Sequence, residues 1–437
     1  MAVLFCVILI DLIGFGIVIP ILPFLSPQLG ADKMDIALVI VTYATCAGLS
    51  GPQWGKLSDR IGRKPVIIIC LAGAVLAYLM LAFASALWMV FAARGFAGLM
   101  AGNFGVASAM IADITTTENR ARGMGLIGAA FGAGIVLGPV MGGLLTVDGT
   151  GFTLPCLVAG VMSLLAIVAA AFFLQESLPA DKRAAIESRR MTSQSLSLLQ
   201  LLRHTKNRLF VFQFVLHQAA VSTIVYMFPL WMGEELGFSA REVGIVFGIQ
   251  GVIMVIFQGG LLGILARVLG EWRLLHIAVT LLLLGLLSAS MADTMITMVG
   301  SIFVAMTGAT LCVPMLNTII SYTTALEYRG RMMGITNAAS SWGRVMGPLV
   351  AGTSLSLLGF SSAWLVSALL VSVYLILFSP SRRRVHSSRM ASCKASLAAS
   401  TLSVSAAIST SSASWASTSA ASRSAFRRSF LALTLVE

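Results

Sequence analysis

Charged residues are scarce in this chain: Asp, Glu, Lys and Arg together make 11% of 437 residues, about half the share of a typical soluble globular protein. A surface so poor in charge cannot cover a water-soluble fold of this length, which argues against a soluble enzyme or binding module. Cysteine is thin as well. Six residues, Cys6, Cys46, Cys70, Cys156, Cys312 and Cys393, stand at scattered positions without paired spacing, so neither a disulfide framework nor a metal centre is indicated. With few acids to stand beside His217, the paired acid and base groups that a membrane enzyme would need are missing. A GxxxxGK[ST] phosphate loop is missing too, which argues against work driven by nucleotide hydrolysis. The opening residues lack the basic leader and small-residue cleavage site of a secretory signal, and the first apolar run is expected to remain as a span.

What the chain has in abundance is apolar sequence, 58% of all residues. Runs long enough to cross a bilayer as helices, about 20 residues each, fall at 3–27, 36–55, 66–84, 87–112, 123–147, 153–174, 208–232, 242–265, 273–292, 294–320, 331–358 and 361–379. The expected fold class is therefore an all-α membrane protein with twelve transmembrane helices, because a helix satisfies its own backbone in lipid while a barrel would show short alternating segments. The net charge of +12 does not point to nucleic acid, since the basic residues gather in alternate loops. Lys56, Arg60, Arg63, Lys64, Arg120, Arg122, Arg329 and Arg331 lie on one side, and the opposite loops, with Asp32, Asp35, Asp148, Glu234, Glu235 and Asp293, are net acidic. By the positive-inside rule both termini are expected in the cytoplasm, as an even number of spans also requires.

The chain repeats itself. A shift of 209 residues carries Glu118, Arg120, Arg122, Gly134, Gly138 and Pro139 onto Glu327, Arg329, Arg331, Gly343, Gly347 and Pro348. The expected organisation is a six-helix bundle over 1–174, a cytoplasmic linker over 175–207, a second six-helix bundle over 208–379 and a disordered Ser/Ala/Arg-rich tail over 380–437. Parallel repeats of this kind place a substrate site between the halves near mid-membrane.

Several positions invite chemistry. Asp11 and Arg94 are ionisable groups inside apolar spans, where an exposed charge costs roughly 2.5–3.5 kcal/mol, so each is expected to face a cavity or a partner. In "GKLSDRIGRK", 55–64, Gly55 and Gly62 are expected to turn the chain, Asp59 to meet an arginine or a helix N-terminus, and Arg60, Arg63 and Lys64 to reach acidic partners or lipid phosphates. A solvated turn that only sets topology is the other reading of the same residues. A sister segment at 263–273 keeps the glycine spacing with Arg267 in place of Asp59. Gly134, Gly138 and Gly142 recur every fourth residue, with Gly143 adjacent, and admit a close helix while Pro139 bends the span. Asn103, His217, Gln218, Gln250, Gln258 and Asn317 are candidate cavity groups, and His217 reads equally as a hydrogen-bonded packing residue.

Four stretches taken in order resemble the motifs of the major facilitator superfamily: "DLIGFGIVIPILP" (11–23), "GKLSDRIGRKP" (55–65), "RGFAGLMAGN" (94–103) and "GIVLGPVMGG" (134–143). "IADITTTENRARGMG" is similar to the tetracycline-exporter branch of its drug:proton antiporters. The resemblance implies two pseudo-symmetric bundles and a monomer in a bacterial inner membrane that exports a small amphipathic molecule against protons, with no cofactor beyond the proton gradient. It further implies that Asp11 and Arg94 couple protons, that 55–64 latches the two halves on the cytoplasmic side, and that 134–143 closes the outer side. At Ala77 the sequence departs from the tetracycline exporters, which typically carry an acid there. Export or uptake of an endogenous sugar or amino acid therefore stays open as the alternative.

Overall fold

Lipid offers the backbone no hydrogen-bond partners, so each apolar run has to close its own bonds as a helix. A computed structural model describes residues 2–18, 21–115, 120–146, 152–179, 181, 204–324 and 326–376, all within one compact unit, Met1–Ser379. Most of the expected linker and all of the expected tail lie outside the described residues.

The first half is built from α1 (Ala2–Val18), the short α2 (Leu22–Gln28), α3 (Lys33–Ile61), α4 (Arg63–Ala82), α5 (Leu87–Leu99), α6 (Asn103–Ile114), α7 (Arg120–Leu145) and α8 (Thr153–Phe173). The second half has α9 (Thr205–Leu236), α10 (Ala240–Val255), a π-helical stretch (Ile256–Leu261) running into α11 (Leu262–Leu269), α12 (Glu271–Ser290), α13 (Met295–Thr323), α14 (Leu326–Leu358) and α15 (Phe360–Ile376). These elements coincide with the twelve expected spans, the first, fourth and eighth each being composite. Among the described residues, eight helical stretches are long and apolar enough to cross a membrane, and shorter apolar helices include Leu87–Leu99, Gly105–Ile114 and Phe360–Ile376.

Helix starts at one end of the bundle are fixed by reciprocal caps. Asp32 with Asp35, Ser239 with Glu242 and Thr294 with Thr297 each form a capping box at the start of α3, α10 and α13, satisfying backbone donors that lack a partner inside the helix. Asp35 N donates to Asp32 Oδ1 at 2.7 Å, for example. We refer to this as the Lys33 end, and to the opposite end as the Arg63 end.

At the Arg63 end the expected turn is shorter than its sequence implied. Gly55 lies inside α3, which continues to Ile61, so the chain does not turn there; the single turning residue is Gly62, at φ 110°. Nothing between Gly55 and Ile61 breaks a helix, and Ser58 returns its hydroxyl to the Gly55 carbonyl at 2.8 Å. Gly270, the sister of Gly62, joins α11 to α12 at φ 75°, so the repeat extends to backbone conformation.

Within the halves α1 packs on α7 and α8, α4 on α8, α3 on α5, α9 on α14 and α12 on α13. Between the halves, α7 meets α10 and α3 meets α14, a pairing that the repeat itself exchanges. The apolar core follows the same division. One cluster gathers second-half residues such as Phe210, Leu282 and Trp364 with Ile36 and Ala37, and two others gather first-half residues, joined by Ala240.

Candidate functional site

The fourth expected span is broken, and the break builds the polar centre. Helix α5 stops at Leu99, Met100–Gly102 turn, and α6 restarts at Asn103. Two side chains of α3 satisfy carbonyls at the end of α5, Ser50 Oγ donating to Gly98 O at 3.1 Å and Trp54 Nε1 to Leu99 O at 2.6 Å. Gly102 lies against Trp54, whose ring a Cβ would strike. An uninterrupted helix over 87–112 was the expectation from hydropathy, which cannot register partners contributed by another span.

Because α6 begins at Asn103, its side chain points at Asp11. Asn103 Nδ2 donates to Asp11 Oδ2 at 2.9 Å, and no cationic side chain lies within 4 Å of Asp11 among the described residues. Arg94, on α5, is 5% exposed. Its guanidinium carbon stands 4.7 Å from the centre of the Tyr43 ring, a cation–π contact that strengthens where water is excluded, and Tyr43 in turn meets the Phe15 ring at 5.5 Å. Asp11 and Arg94 thus belong to one polar centre, connected through Phe15, one turn beyond Asp11 on α1, and the Tyr43 ring on which Arg94 stacks, and no direct ion pair joins them among the described residues.

The 55–64 segment is tied to its own half. Arg63 pairs with Asp59 at 2.7 Å and with Asp113 of α6 at 3.0 Å, while its Nη1 donates to Ser58 Oγ at 2.6 Å. Glu176, just beyond α8, accepts from the backbone N–H groups of Arg63 and Lys64 at 2.9 and 3.1 Å, an acid on the positive end of α4. Lys64 Nζ donates to Ala171 O at 2.7 Å, and Arg60 is exposed. Asp113 and Glu176 were not singled out from sequence; the signal available was an acid at each apolar boundary facing a basic turn. Of the two partners expected for Asp59, the structure pairs it with an arginine, and Glu176 meets the helix N-terminus.

The glycine stripe of α7 packs backbone to backbone. A Cβ on Gly134 would sit 2.5 Å from Leu12 and one on Gly138 2.5 Å from Gly16 Cα, and Gly142 abuts the Ile17 carbonyl. Another side of α7 faces the second half: Gly143 lies against the Ala240 and Arg241 carbonyls, Pro139 O against Gly244, and Val140 and Val136 against Gly248 and Gly251. On the other seam, Gly352 of α14 meets Ala37 and Met34, and Gly48 meets Ser341 at 3.3 Å. Lys33 closes this end, pairing with Glu234 of α9 at 2.6 Å, lying 4.9 Å from the centre of the Phe360 ring and giving its carbonyl to Tyr226 Oη at 2.6 Å. Past Gly48 toward the Arg63 end, Gly51 and Gly55 of α3 and Gly334 of α14 have nothing within 4 Å of where a Cβ would stand.

The second-half candidates are more dispersed. His217 is 2% exposed and edge-on to Tyr374, 6.3 Å between ring centres, within the core of its own half. Gln218 packs against Gly343 at the α9–α14 contact. Gln258, in the π-helical stretch, donates to Thr310 O at 3.3 Å. Gln250 is buried with neither amide atom partnered among the described residues, and Asn317 is half-buried on α13.

The Major Facilitator Superfamily profile matches residues 4–348. The chain is 28% identical over 357 residues to the class E tetracycline resistance protein of Escherichia coli, covering 79% of this chain and 85% of that one. It is 26% identical to multidrug resistance protein 2 of Bacillus subtilis, with 79% and 86% covered. Among solved structures, the human organic anion transporter MFSD10 superposes with a TM-score of 0.67 at 23% identity, covering 86% of this chain and 98% of that one, a likeness of fold. Twelve spans in two repeated halves, motifs in register and a profile over most of the length place this chain in the major facilitator superfamily, as a multi-pass membrane transporter and not an enzyme.

Proposed function

We propose that the protein is a proton-coupled antiporter that exports a small amphipathic molecule, a drug of the tetracycline or multidrug kind, from the cytoplasm of a bacterium by alternating access between two six-helix halves. The observation that carries this reading is Asp11, a carboxyl inside the first span whose hydrogen bond comes from a neutral amide and which has no cation within 4 Å among the described residues. Such a group costs several kcal/mol when charged in lipid and little when it holds a proton, so its protonation can weight one arrangement of the halves over the other. Bacterial resistance proteins among the relatives support export.

Basic loops mark the cytoplasmic side, so both termini and the Arg63 end face the cytoplasm in this reading. The state described is then closed to the outside by the α7–α10 and α3–α14 seams and by Lys33 with Glu234. Protons entering along the gradient supply the work, about 2.3 kcal/mol per charge per 100 mV from its electrical part. The driving force is the gradient itself, the carrier acts as a monomer in the inner membrane, and no cofactor takes part.

The test is flux in proteoliposomes holding the full chain under an imposed acid gradient, with tetracycline and a panel of amphipathic dyes. Gradient-dependent movement of at least one compound is expected, reduced at least tenfold in Asp11→Asn while that variant still folds. Undiminished active flux by Asp11→Asn would remove the carboxyl from the mechanism.

A further inference from the structure

Asp11 and Asn103 form a pair whose donors and acceptors do not balance. Asn103 Nδ2 donates to Asp11 Oδ2 at 2.9 Å, the one hydrogen bond that Asp11 receives among the described residues. On the same amide, Asn103 Oδ1 is buried and has no partner among the described residues, a condition that in a folded protein calls for an explanation. An ionised carboxylate only accepts, and a buried one ordinarily collects two or three donors. Beside Asp11 the structure supplies one donor and one stranded acceptor. The group that matches a primary amide atom for atom is a protonated carboxyl, which accepts the amide N–H at one oxygen and donates its O–H to the amide oxygen from the other. A proton on Asp11 Oδ1 completes both groups. An ionised Asp11 leaves Asn103 Oδ1 unpaired, at the full desolvation cost of a buried acceptor.

The surroundings leave the titration to this pair. Tyr78 Oη of α4 lies 3.6 Å from where a Cβ on Gly14 of α1 would stand, the Cys70 thiol of α4 lies against the Gly102 backbone, and Tyr43 of α3 meets Phe15. Phenols and thiols are ordinarily neutral near neutral pH. Arg94, stacked on Tyr43, keeps its charge throughout. Cys156 is the one ionisable residue of α8, and Asp113, the one of α6, is bound to Arg63; α7 has none from Gly123 to Leu145, and Cys6 of α1 is exposed. We infer that Asn103 is the positioning residue that reads the proton on Asp11: the described arrangement is the proton-loaded form, the two side chains joined by two hydrogen bonds, and release of the proton to water breaks one of them. Asp11 keeps some accessible surface, where water can take the proton. The break between α5 and α6 brings the amide into place, because Asn103 is the first residue of α6. The inference deepens the transport reading above and rests on it for the claim that the proton is carried.

Infrared difference spectroscopy of the full chain in nanodiscs, between high and low pH, tests the pair apart from transport. A protonated-carboxyl C=O band that disappears in Asp11→Asn is expected near neutral pH. In Asn103→Leu that band should move to higher wavenumber, as a carboxyl freed of its hydrogen bonds does. In Asn103→Asp two carboxyls share the site, and like charge disfavours ionising both, so the pH of half-release should rise by about one unit or more. An ionised Asp11 near neutral pH, an unmoved band in a folded Asn103→Leu, or an unshifted half-release in Asn103→Asp would overturn the inference and leave Asn103 a packing residue. If Asn103→Leu fails to fold, the band of the unmodified chain and the Asn103→Asp titration decide. Driven flux that persists in Asp11→Asn, alongside a band that answers to Asn103, would reject the proton-coupled reading and leave the pair intact. Loss of flux in Asp11→Asn with a band indifferent to Asn103 would do the reverse.

Discussion

Glycine 62 and Glu176 show how much of the Arg63 end depends on single residues. Gly62 stands at φ 110°, a conformation that a Cβ makes costly, and a Cβ there would lie 2.5 Å from Glu176 Oε2. The same carboxylate caps α4 through two backbone N–H groups. Gly62→Ala should therefore both strain the turn and displace its cap, costing about 1–3 kcal/mol. Glu176→Ala should cost about 1–2 kcal/mol, the range for loss of a helix cap. Thermal unfolding in detergent checks both, and a midpoint for Glu176→Ala equal to that of the unmodified chain would show that solvent or a neighbour replaces the cap. Residue-scale reasoning from sequence reached Asp11 and Arg94 because an ionisable group in an apolar run announces its own cost. By the same criterion Arg344, inside the eleventh apolar run, is legible in the sequence, whereas Tyr43 gives no such sign, since an aromatic in a span is ordinary.

At the scale of elements, the broken fourth span and the glycine stripe of α7 set where helices stop and how near they come. The break survives because Ser50 and Trp54 bond to carbonyls at the end of α5. Ser50→Ala should cost about 1 kcal/mol, the net worth of one hydrogen bond. It should also reduce flux by loosening the approach of Asn103 to Asp11, and an unchanged unfolding midpoint together with unchanged flux would count against that role for the break. Gly138→Leu tests the stripe: its Cβ would meet Gly16 Cα at 2.5 Å, and backbone cannot give way as a side chain does. Severe loss of folded protein is expected, against near-normal yield for Gly105→Ala, where a Cβ meets open space. Comparable yields for the two would mean that α1 and α7 can separate freely. The fourfold glycine spacing was legible because small residues on one helix face require a close neighbour; that the neighbour is α1 was not, since spacing names no partner.

For the whole molecule, the seams between the halves decide which state is populated. Lys33 and Glu234 form an ion pair across that division at 2.6 Å, each side chain about two-fifths exposed (38% and 40%). Pairs so exposed contribute about 0.2–1 kcal/mol, so Lys33→Glu should shift the balance of states by roughly 1.4- to fivefold away from closure at this end. The exchange Lys33→Glu with Glu234→Lys should restore it. Labelling of a cysteine placed at position 31 or 237 reads the shift, and no recovery in the double variant would locate the effect in Phe360 or Tyr226 instead. Removal of 381–437 is expected to leave flux unchanged, because a sequence so rich in Ser, Ala and Arg offers little apolar surface for packing; a large loss on truncation would overturn that expectation.

The amino-acid sequence by itself determined that the chain crosses the membrane twelve times and repeats after about half its length, because hydropathy and backbone self-satisfaction are local properties that each run carries within it. It also marked Asp11, Arg94 and the α7 glycines, whose burial or spacing is anomalous wherever the chain folds. Only the tertiary structure decided that Asn103 bonds to Asp11, that Glu176 caps α4 from more than a hundred residues away, that Asp113 joins Arg63, and that Arg94 stacks on Tyr43. Those pairings join residues far apart in the chain, and their energies depend on distance and burial in the folded bundle, quantities that no linear pattern contains.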